Sequence, residues 1–326
     1  MCGIIAVLSR PETRSVPAAA DLLAQIDAVV AQWPLGAAGL PSDDALSAMG
    51  EQMSAVDAKL RGDAGVWLLA GNREFVAALS TALDQLQGRI VAAESALESA
   101  DALDAAVLER RVGLVTVLRD AVWSIRMDRL RTAAAVDALA GAGASRSALA
   151  AYLSIQQTLS GLDRLEVRGR DSAGVHVMVW NHGITADDPR VRQLLGARHD
   201  DSLFGSGSVR ITRHAWSFVY KAAAEIGELG DNTRVMRQAV VADDLLRLLV
   251  SQAGARVAVL GHTRWASVGI ISEPNAHPVN SEELEANANA AYLIAALNGD
   301  VDNHADLRAR HELRLAQPIK IGRAHV

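Results

Sequence analysis

The stretch MCGIIAVL, residues 1–8, decides the fold that we expect for this chain. Its apolar, β-branched run Gly3–Leu8 predicts a buried strand. Directly before that run stands Cys2, the only cysteine among 326 residues. Removal of Met1 would give Cys2 a free α-amine beside its thiol, two groups whose unperturbed pKa values are about 8 and about 8.5. A nucleophile with its own proton acceptor is one form of activated covalent catalysis, although a chance cysteine at a chain end is the simpler interpretation of position alone.

The composition indicates a sizeable core built from small apolar side chains. Hydrophobic residues make up 50% of the chain and aromatic residues only 4%, a balance that favours helices over a β-sandwich. The net charge of −6 gives no support for nucleic-acid or anionic-membrane partners. A single cysteine excludes an internal disulfide framework. With no run of 18 apolar residues and no secretory leader, the sequence predicts a cytoplasmic protein that contacts no membrane.

Residues 14–145 show the periodicity of helices that pack against one another. Leu83, Leu86, Ile90, Ala93 and Leu97 recur at steps of three and four, and Leu114, Leu118, Ala121 and Ile125 repeat the spacing. Prolines and glycines interrupt the earlier part, so we expect two or more antiparallel helices. The stretch AGAGA at 140–144 predicts the hinge by which the chain leaves this region.

The remaining sequence mixes strands with helices, as in a single α+β domain. Ala173–Trp180 alternates and predicts a strand, and the apolar runs Val257–His262 and Ala291–Leu297 predict two more. Thr233–Val250 has the amphipathic pattern of one helix. We therefore expect a discontinuous domain of residues 2–13 and 146–320, interrupted by a helical insertion of residues 14–145.

Three motifs place chemically capable residues next to predicted strands. They are RGRDSAG at 168–174, GHTRWAS at 261–267 and NGD at 298–300. A guanidinium can hold a carboxylate through two parallel hydrogen bonds. An Asn-Gly pair can direct a side-chain amide and a backbone N–H at one oxyanion. Taken singly, Asn-Gly is more simply a tight turn, and Arg-Gly-x-Asp is explained by a loop salt bridge.

Taken together with Cys2, the motifs form an ordered series. The series comprises CGIIA at 2–6, LEVRGRDSAG at 165–174, GHTRWA at 261–266, NAHP at 275–278 and NG at 298–299. It resembles the glutaminase domain of class II glutamine amidotransferases, and within that class most closely the glutamine–fructose-6-phosphate branch. The resemblance covers residues 2–10 and roughly 147–315.

The resemblance implies a four-layer αββα N-terminal-nucleophile hydrolase fold with a large, coiled-coil-like helical insertion. In that family the cysteine corresponding to Cys2 attacks the side-chain amide of glutamine, with its own α-amine as base. Asn298 and the Gly299 N–H would form the oxyanion hole. Arg264 would take the α-carboxylate of glutamine, and Trp265 would belong to the loop that closes over the site.

Other residues of the motifs receive supporting roles. Ser267 keeps a hydroxyl where the family has threonine, and we assign it to substrate binding. Arg168, Gly169 and Asp171 are expected to fix the helix-to-strand junction beside the nucleophile. No metal or cofactor is implied, and His262, His277 and His304 are more simply core or loop histidines than metal ligands.

The implied partners are glutamine and a sugar phosphate acceptor. Ammonia released from glutamine would convert fructose 6-phosphate to glucosamine 6-phosphate. The acceptor would bind to C-terminal isomerase domains that this sequence lacks, so we expect a C-terminally truncated chain. Residues 321–326, IGRAHV, resemble a non-native tail. Two alternatives stay open: an amidotransferase with another acceptor, and a decayed glutaminase fold whose insertion binds a partner or forms a homo-oligomer.

Overall fold

A computed structural model describes residues 2–33, 40–99, 103–201, 203–223, 228–266, 270–281, 292–299 and 301–310. The chain divides into two compact units. One, the helical unit, is Pro11–Gly143; the other, the sheet unit, combines Met1–Arg10 with Ala144–Val326. The structure is 56% helical and 14% strand with an antiparallel sheet. The expected mixture of helices and strands is therefore confirmed at this coarse level.

The helical unit is built from α-helices with one π-helical segment. Its helices are α1 (Ala19–Ala31), α2 (Asp43–Lys59), α3 (Gly62–Leu69), α4 (Arg73–Glu98), α5 (Ala105–Trp123) and α6 (Arg131–Ala140), with the π-helix Ser124–Leu130 between the last two. Polar caps begin α2, α4 and α5, where the side chains of Ser42, Asn72 and Asp104 accept backbone N–H bonds. The apolar seam of α4 at 83–97 is buried in the core.

The sheet unit contains a five-stranded antiparallel sheet with the strand order β1-β5-β2-β4-β3. Its elements are β1 (Gly3–Leu8), α7 (Arg146–Leu165), β2 (Ser172–Trp180), α8 (Pro189–Leu195), β3 (Val209–Ile211), β4 (Trp216–Ala222), α9 (Asp231–Val241), α10 (Asp244–Val250), β5 (Arg256–Arg264), β6 (Val279–Asn280), β7 (Ile294–Ala295) and α11 (His304–Arg310). Strands β6 and β7 form a separate antiparallel pair.

The register of the sheet brings three chain segments to one edge. Gly3 lies opposite Thr263, and Ser172 lies opposite Arg264. The start of β1, the end of β5 and the start of β2 therefore meet at the same end of the sheet. Because side chains alternate between the two faces of a strand, this register also decides which residues share a face.

Glycines allow close packing on both faces of the sheet. A Cβ on Gly161 of α7 would lie 2.3 Å from Ile5 Cδ1, so the helix packs tightly against β1. On the other face, a Cβ on Gly174 would lie 2.3 Å from the carbonyl oxygen of His277, in the segment that leads into β6. Such distances are far below van der Waals contact, so larger side chains would force these layers apart.

The expectation of one helix over Thr233–Val250 is wrong, because the chain breaks between α9 and α10. Asp243 occupies the break and its carboxylate accepts a bond from the Leu246 N–H at 3.0 Å. The same buried carboxylate accepts from the Tyr220 hydroxyl at 2.8 Å and pairs with Arg198. A new helix begins here because an aspartate at an N-cap competes with helix continuation.

Two helical glycines of the helical unit should respond oppositely to alanine. A Cβ on Gly65 would lie 1.9 Å from the Leu60 carbonyl oxygen, so Gly65→Ala should lower the free energy of unfolding by about 1–3 kcal/mol. Gly88 in α4 has no atom within 4 Å of such a Cβ, so Gly88→Ala should raise it by about 0.5–1 kcal/mol. Urea denaturation followed by circular dichroism measures both variants, and equal shifts would contradict the packing described.

Candidate functional site

Cys2 lies at the edge of the sheet where the three segments meet. It immediately precedes β1 and is partly buried. Its backbone N donates to Asn298 Oδ1 at 3.2 Å. The next residue is fixed as well, since the Gly3 N–H donates to the side-chain oxygen of the buried Thr263 at 3.1 Å. The amino end of β1 is thus held both by the neighbouring strand β5 and by a residue nearly 300 positions away.

The segment after β7 presents Asn298 and Gly299 to this edge. Because Asn298 Oδ1 accepts from Cys2, the Nδ2 group of the same amide is directed elsewhere as a donor. Gly299 has φ of 152°, a conformation that residues with a side chain rarely adopt. A glycine is therefore needed at this position for the backbone to follow its path.

Arg264 ends β5 opposite Ser172 and is buried. One guanidinium nitrogen donates to the carbonyl oxygen of Ile270 at 3.3 Å. The indole of Trp265, the next residue, is 55% exposed. Ser267, which the sequence assigns to substrate binding, lies outside the described residues.

The junction between α7 and β2 is fixed to the end of β5 by Asp171. Its backbone N–H donates to the Arg264 carbonyl at 3.1 Å, and its carboxylate accepts from the Ala266 N–H at 2.6 Å. A Cβ on Gly169 would lie 2.9 Å from the Arg264 carbonyl carbon, so this crossing needs a glycine. Arg168 was also expected to fix this junction. It lies in a short 3₁₀ turn, and its side chain is exposed.

Glu166 is the junction residue that the sequence reasoning missed. Its side chain is fully buried, and one carboxylate oxygen accepts from the Gly230 N–H at 2.5 Å at the start of α9. The other oxygen has no hydrogen-bond partner among the described residues. Burial raises the pKa of this carboxyl group. An acidic residue inside LEVRGRDSAG was the available signal, but sequence alone does not show that it is buried.

Two histidines lie beside the Asn298 segment. The His262 and His277 ring centroids are 4.7 Å apart, and each ring has a nitrogen within hydrogen-bond distance of the Leu297 backbone. Burial lowers the pKa of His262 to about 4, so this imidazole is neutral at physiological pH. The sequence placed both residues in the core or in loops without giving them a role.

Metal and membrane chemistry find no support in the part of the chain that the structure describes. Within it, no group of three or more His, Cys, Asp or Glu side chains is arranged to hold a metal ion. Within the same residues, no helix is both long and apolar enough to span a membrane.

The helical unit has a separate cleft of about 650 Å³ beside the start of α1 and the end of α2. Arg14 lines it, but the guanidinium of this residue pairs with Glu12 and donates to the Ala58 carbonyl. Lys59 donates to Gln25 Oε1 at 2.7 Å. Both cations are therefore engaged by partners within the helical unit.

Comparisons of this chain with protein-family models, with curated proteins and with solved structures gave no match. The functional interpretation therefore depends on the geometry of the sheet edge and on the sequence motifs that converge there.

The geometry brings together Cys2, Asn298, Gly299, Arg264 and Asp171, residues that are spread over nearly the whole sequence. This edge of the sheet therefore carries a thiol, a side-chain amide and a guanidinium. Arg168 contributes no described contact to this group, and Trp265 contributes an exposed ring beside it.

Replacing Glu166 with glutamine should change how stability depends on pH. Because the folded-state pKa is raised, the contribution of Glu166 is fully present below its unfolded pKa and is lost as pH rises through the folded value. Wild type should therefore lose stability relative to Glu166→Gln as the pH rises above the unfolded glutamate pKa of about 4.3 toward neutrality. Urea midpoints across this range measure the difference. Glu228 is exposed, so Glu228→Gln serves as the control. If the stability difference between wild type and Glu166→Gln does not change with pH, the buried carboxyl is contradicted.

Proposed function

We propose that the sheet unit hydrolyses the side-chain amide of glutamine, with Cys2 as nucleophile once Met1 has been removed. The observation that carries this proposal is the 3.2 Å hydrogen bond from Cys2 N to Asn298 Oδ1. It joins two motifs that are 296 positions apart and that the sequence reasoning assigned to the same reaction.

In the proposed reaction the Cys2 sulfur attacks the carbonyl carbon of the glutamine side-chain amide. The α-amine takes the thiol proton and returns it to the leaving nitrogen, so ammonia departs and a thioester remains. Water then attacks the thioester, releases glutamate and restores the thiol. Since thiol and amine belong to one residue, the base needs no separate positioning.

Charge develops on the amide oxygen during both attacks. The donors proposed to receive it are Asn298 Nδ2 and the Gly299 N–H. Loss of one such donor typically lowers kcat by about 10²–10³-fold. The orientation of the Asn298 amide supports this assignment, because its oxygen is already engaged by Cys2 N and its nitrogen is the remaining donor group.

Arg264 is proposed to bind the α-carboxylate of glutamine. Gly3 lies opposite Thr263, so the next residues along the two strands, Cys2 and Arg264, are adjacent in the register, which supports this role. One guanidinium nitrogen donates to the Ile270 carbonyl at 3.3 Å, and a guanidinium can hold a carboxylate through two parallel hydrogen bonds. Trp265 and Ser267 complete the proposed substrate-binding residues, and the Asp171 carboxylate fixes the backbone at Ala266, the residue after Trp265.

The four-layer fold and the ammonia acceptor are proposed from the sequence resemblance alone. We propose a four-layer N-terminal-nucleophile arrangement for the sheet unit, with the helical unit inserted after the first strand. The ammonia would be passed to a sugar phosphate, with fructose 6-phosphate as the acceptor. The motif pair RGRDSAG and GHTRWA supports this branch of the amidotransferases.

A cleavable N-terminal extension tests whether a free amine on Cys2 is essential. Protein that carries the extension should release no ammonia from glutamine, because its Cys2 nitrogen is an amide and cannot accept a proton. Cleavage that exposes Cys2 should restore turnover in the same preparation, while Cys2→Ala should stay inactive after cleavage. Turnover by the uncleaved protein would show that the mechanism is wrong.

A further inference from the structure

Both backbone groups of Leu297, the residue before Asn298, are bound by histidine side chains. The Leu297 N–H donates to His277 Nδ1 at 3.2 Å. The Leu297 carbonyl oxygen lies 3.0 Å from His262 Nε2. One peptide segment is thus held from two sides immediately before the Asn-Gly pair.

These bonds fix the proton positions on both rings. A carbonyl oxygen only accepts, so His262 carries its proton on Nε2. A backbone N–H only donates, so His277 Nδ1 is unprotonated and its proton is on Nε2 when the ring is neutral. His262 Nδ1 is buried without a hydrogen-bond partner among the described residues, which is consistent with a neutral ring.

The two histidines connect the segment to the centre of the five-stranded sheet. His262 lies on β5, between Ile4 of β1 and Gly174 of β2 in the sheet register. The His277 backbone packs against Gly174, where a Cβ would collide with its carbonyl oxygen.

Among the described residues, the other contacts of the Asn298 segment include the bonds between Ser281 and Leu293 and the bond from Cys2 N to Asn298 Oδ1. Strand β7 pairs with β6 over only two residues. The Leu297 side chain is 39% exposed and therefore anchors the segment weakly. The bonds to His262 and His277 hold both polar backbone groups of Leu297, the residue before Asn298.

We propose that His262 and His277 are positioning residues that clamp the Leu297 backbone and so set the placement of Asn298 and Gly299 beside Cys2. This inference rests on the proposed function, because the placement matters for catalysis only if Asn298 and Gly299 stabilise an oxyanion. Neither histidine touches the reacting atoms in this scheme.

At each histidine, a leucine and an amide substitution are compared, so that the effect of the hydrogen bond is distinguished from the effect of the ring volume. Asn has an oxygen near the position of His Nδ1, and Gln has a nitrogen near the position of His Nε2. His277→Leu and His262→Leu should lower kcat for glutamine hydrolysis by about 10-fold or more, with the 10²–10³-fold effect of losing an oxyanion donor outright as the upper limit. KM should change little, because the clamp does not contact the glutamine α-carboxylate. His277→Asn and His262→Gln should recover most of the lost kcat.

His176→Leu provides the control for destabilisation alone. His176 is a buried histidine on β2, and burial lowers its pKa to about 4 as well. Its removal should reduce thermal stability and leave kcat near the wild-type value. If both leucine variants of the clamp match wild type in kcat, or if the amide variants fail to recover it, the positioning role is overturned.

A readout that does not depend on activity separates this inference from the proposed function. Long-range ¹H–¹⁵N NMR should show the Nε2-protonated tautomer for both rings, and the Leu297 amide should exchange slowly and lose protection in His277→Leu. A rapidly exchanging Leu297 amide in wild type would overturn the clamp itself. If the clamp is observed but wild type releases no ammonia, the proposed function fails and the catalytic positioning role fails with it.

Discussion

The antiparallel register between β1 and β5 is the constraint on which the rest of the site depends. Gly3 lies opposite Thr263, so continuation of the alternation puts Cys2 in line with Arg264 and Ser172. A slip of one residue would move Cys2 to the face covered by α7 and away from Arg264. Gly161 opposes such a slip, because Ile5 occupies the space that a Cβ on this residue would need, and a Cβ on Gly261 would collide with Thr158.

Short polar contacts connect the elements that carry the site. Asp171 connects the start of β2 to the turn after β5, and Glu166 connects the same junction to the start of α9. The histidines hold the segment that carries Asn298. Each contact joins elements that are distant in sequence, so the placement of the site depends on the complete sheet unit rather than on any single motif.

The secondary-structure elements that depend on local sequence pattern could be predicted from the sequence. The apolar run at 3–8 predicts strand β1, and the periodic seam at 83–97 predicts the buried face of α4. The expectation that the strand is buried is wrong for Ile4, Ala6 and Leu8, which are exposed because β1 is an edge strand. The break between α9 and α10 at Asp243 was not predicted, because it depends on the bonds of this carboxylate to Tyr220 on β4 and to Arg198 before β3. Sequence reasoning also missed Glu166 and the roles of His262 and His277, because burial and backbone partners arise only from tertiary packing.

The central claim is that Cys2 is a nucleophile at a glutamine site, and covalent labelling tests it most directly. Protein freed of Met1 is incubated with a glutamine-mimicking electrophile, and the adduct is located by mass spectrometry of the intact chain and its peptides. The account predicts one adduct, on Cys2, which excess glutamine prevents from forming. An unlabelled chain, or labelling of Cys2 that glutamine does not reduce, would contradict the account.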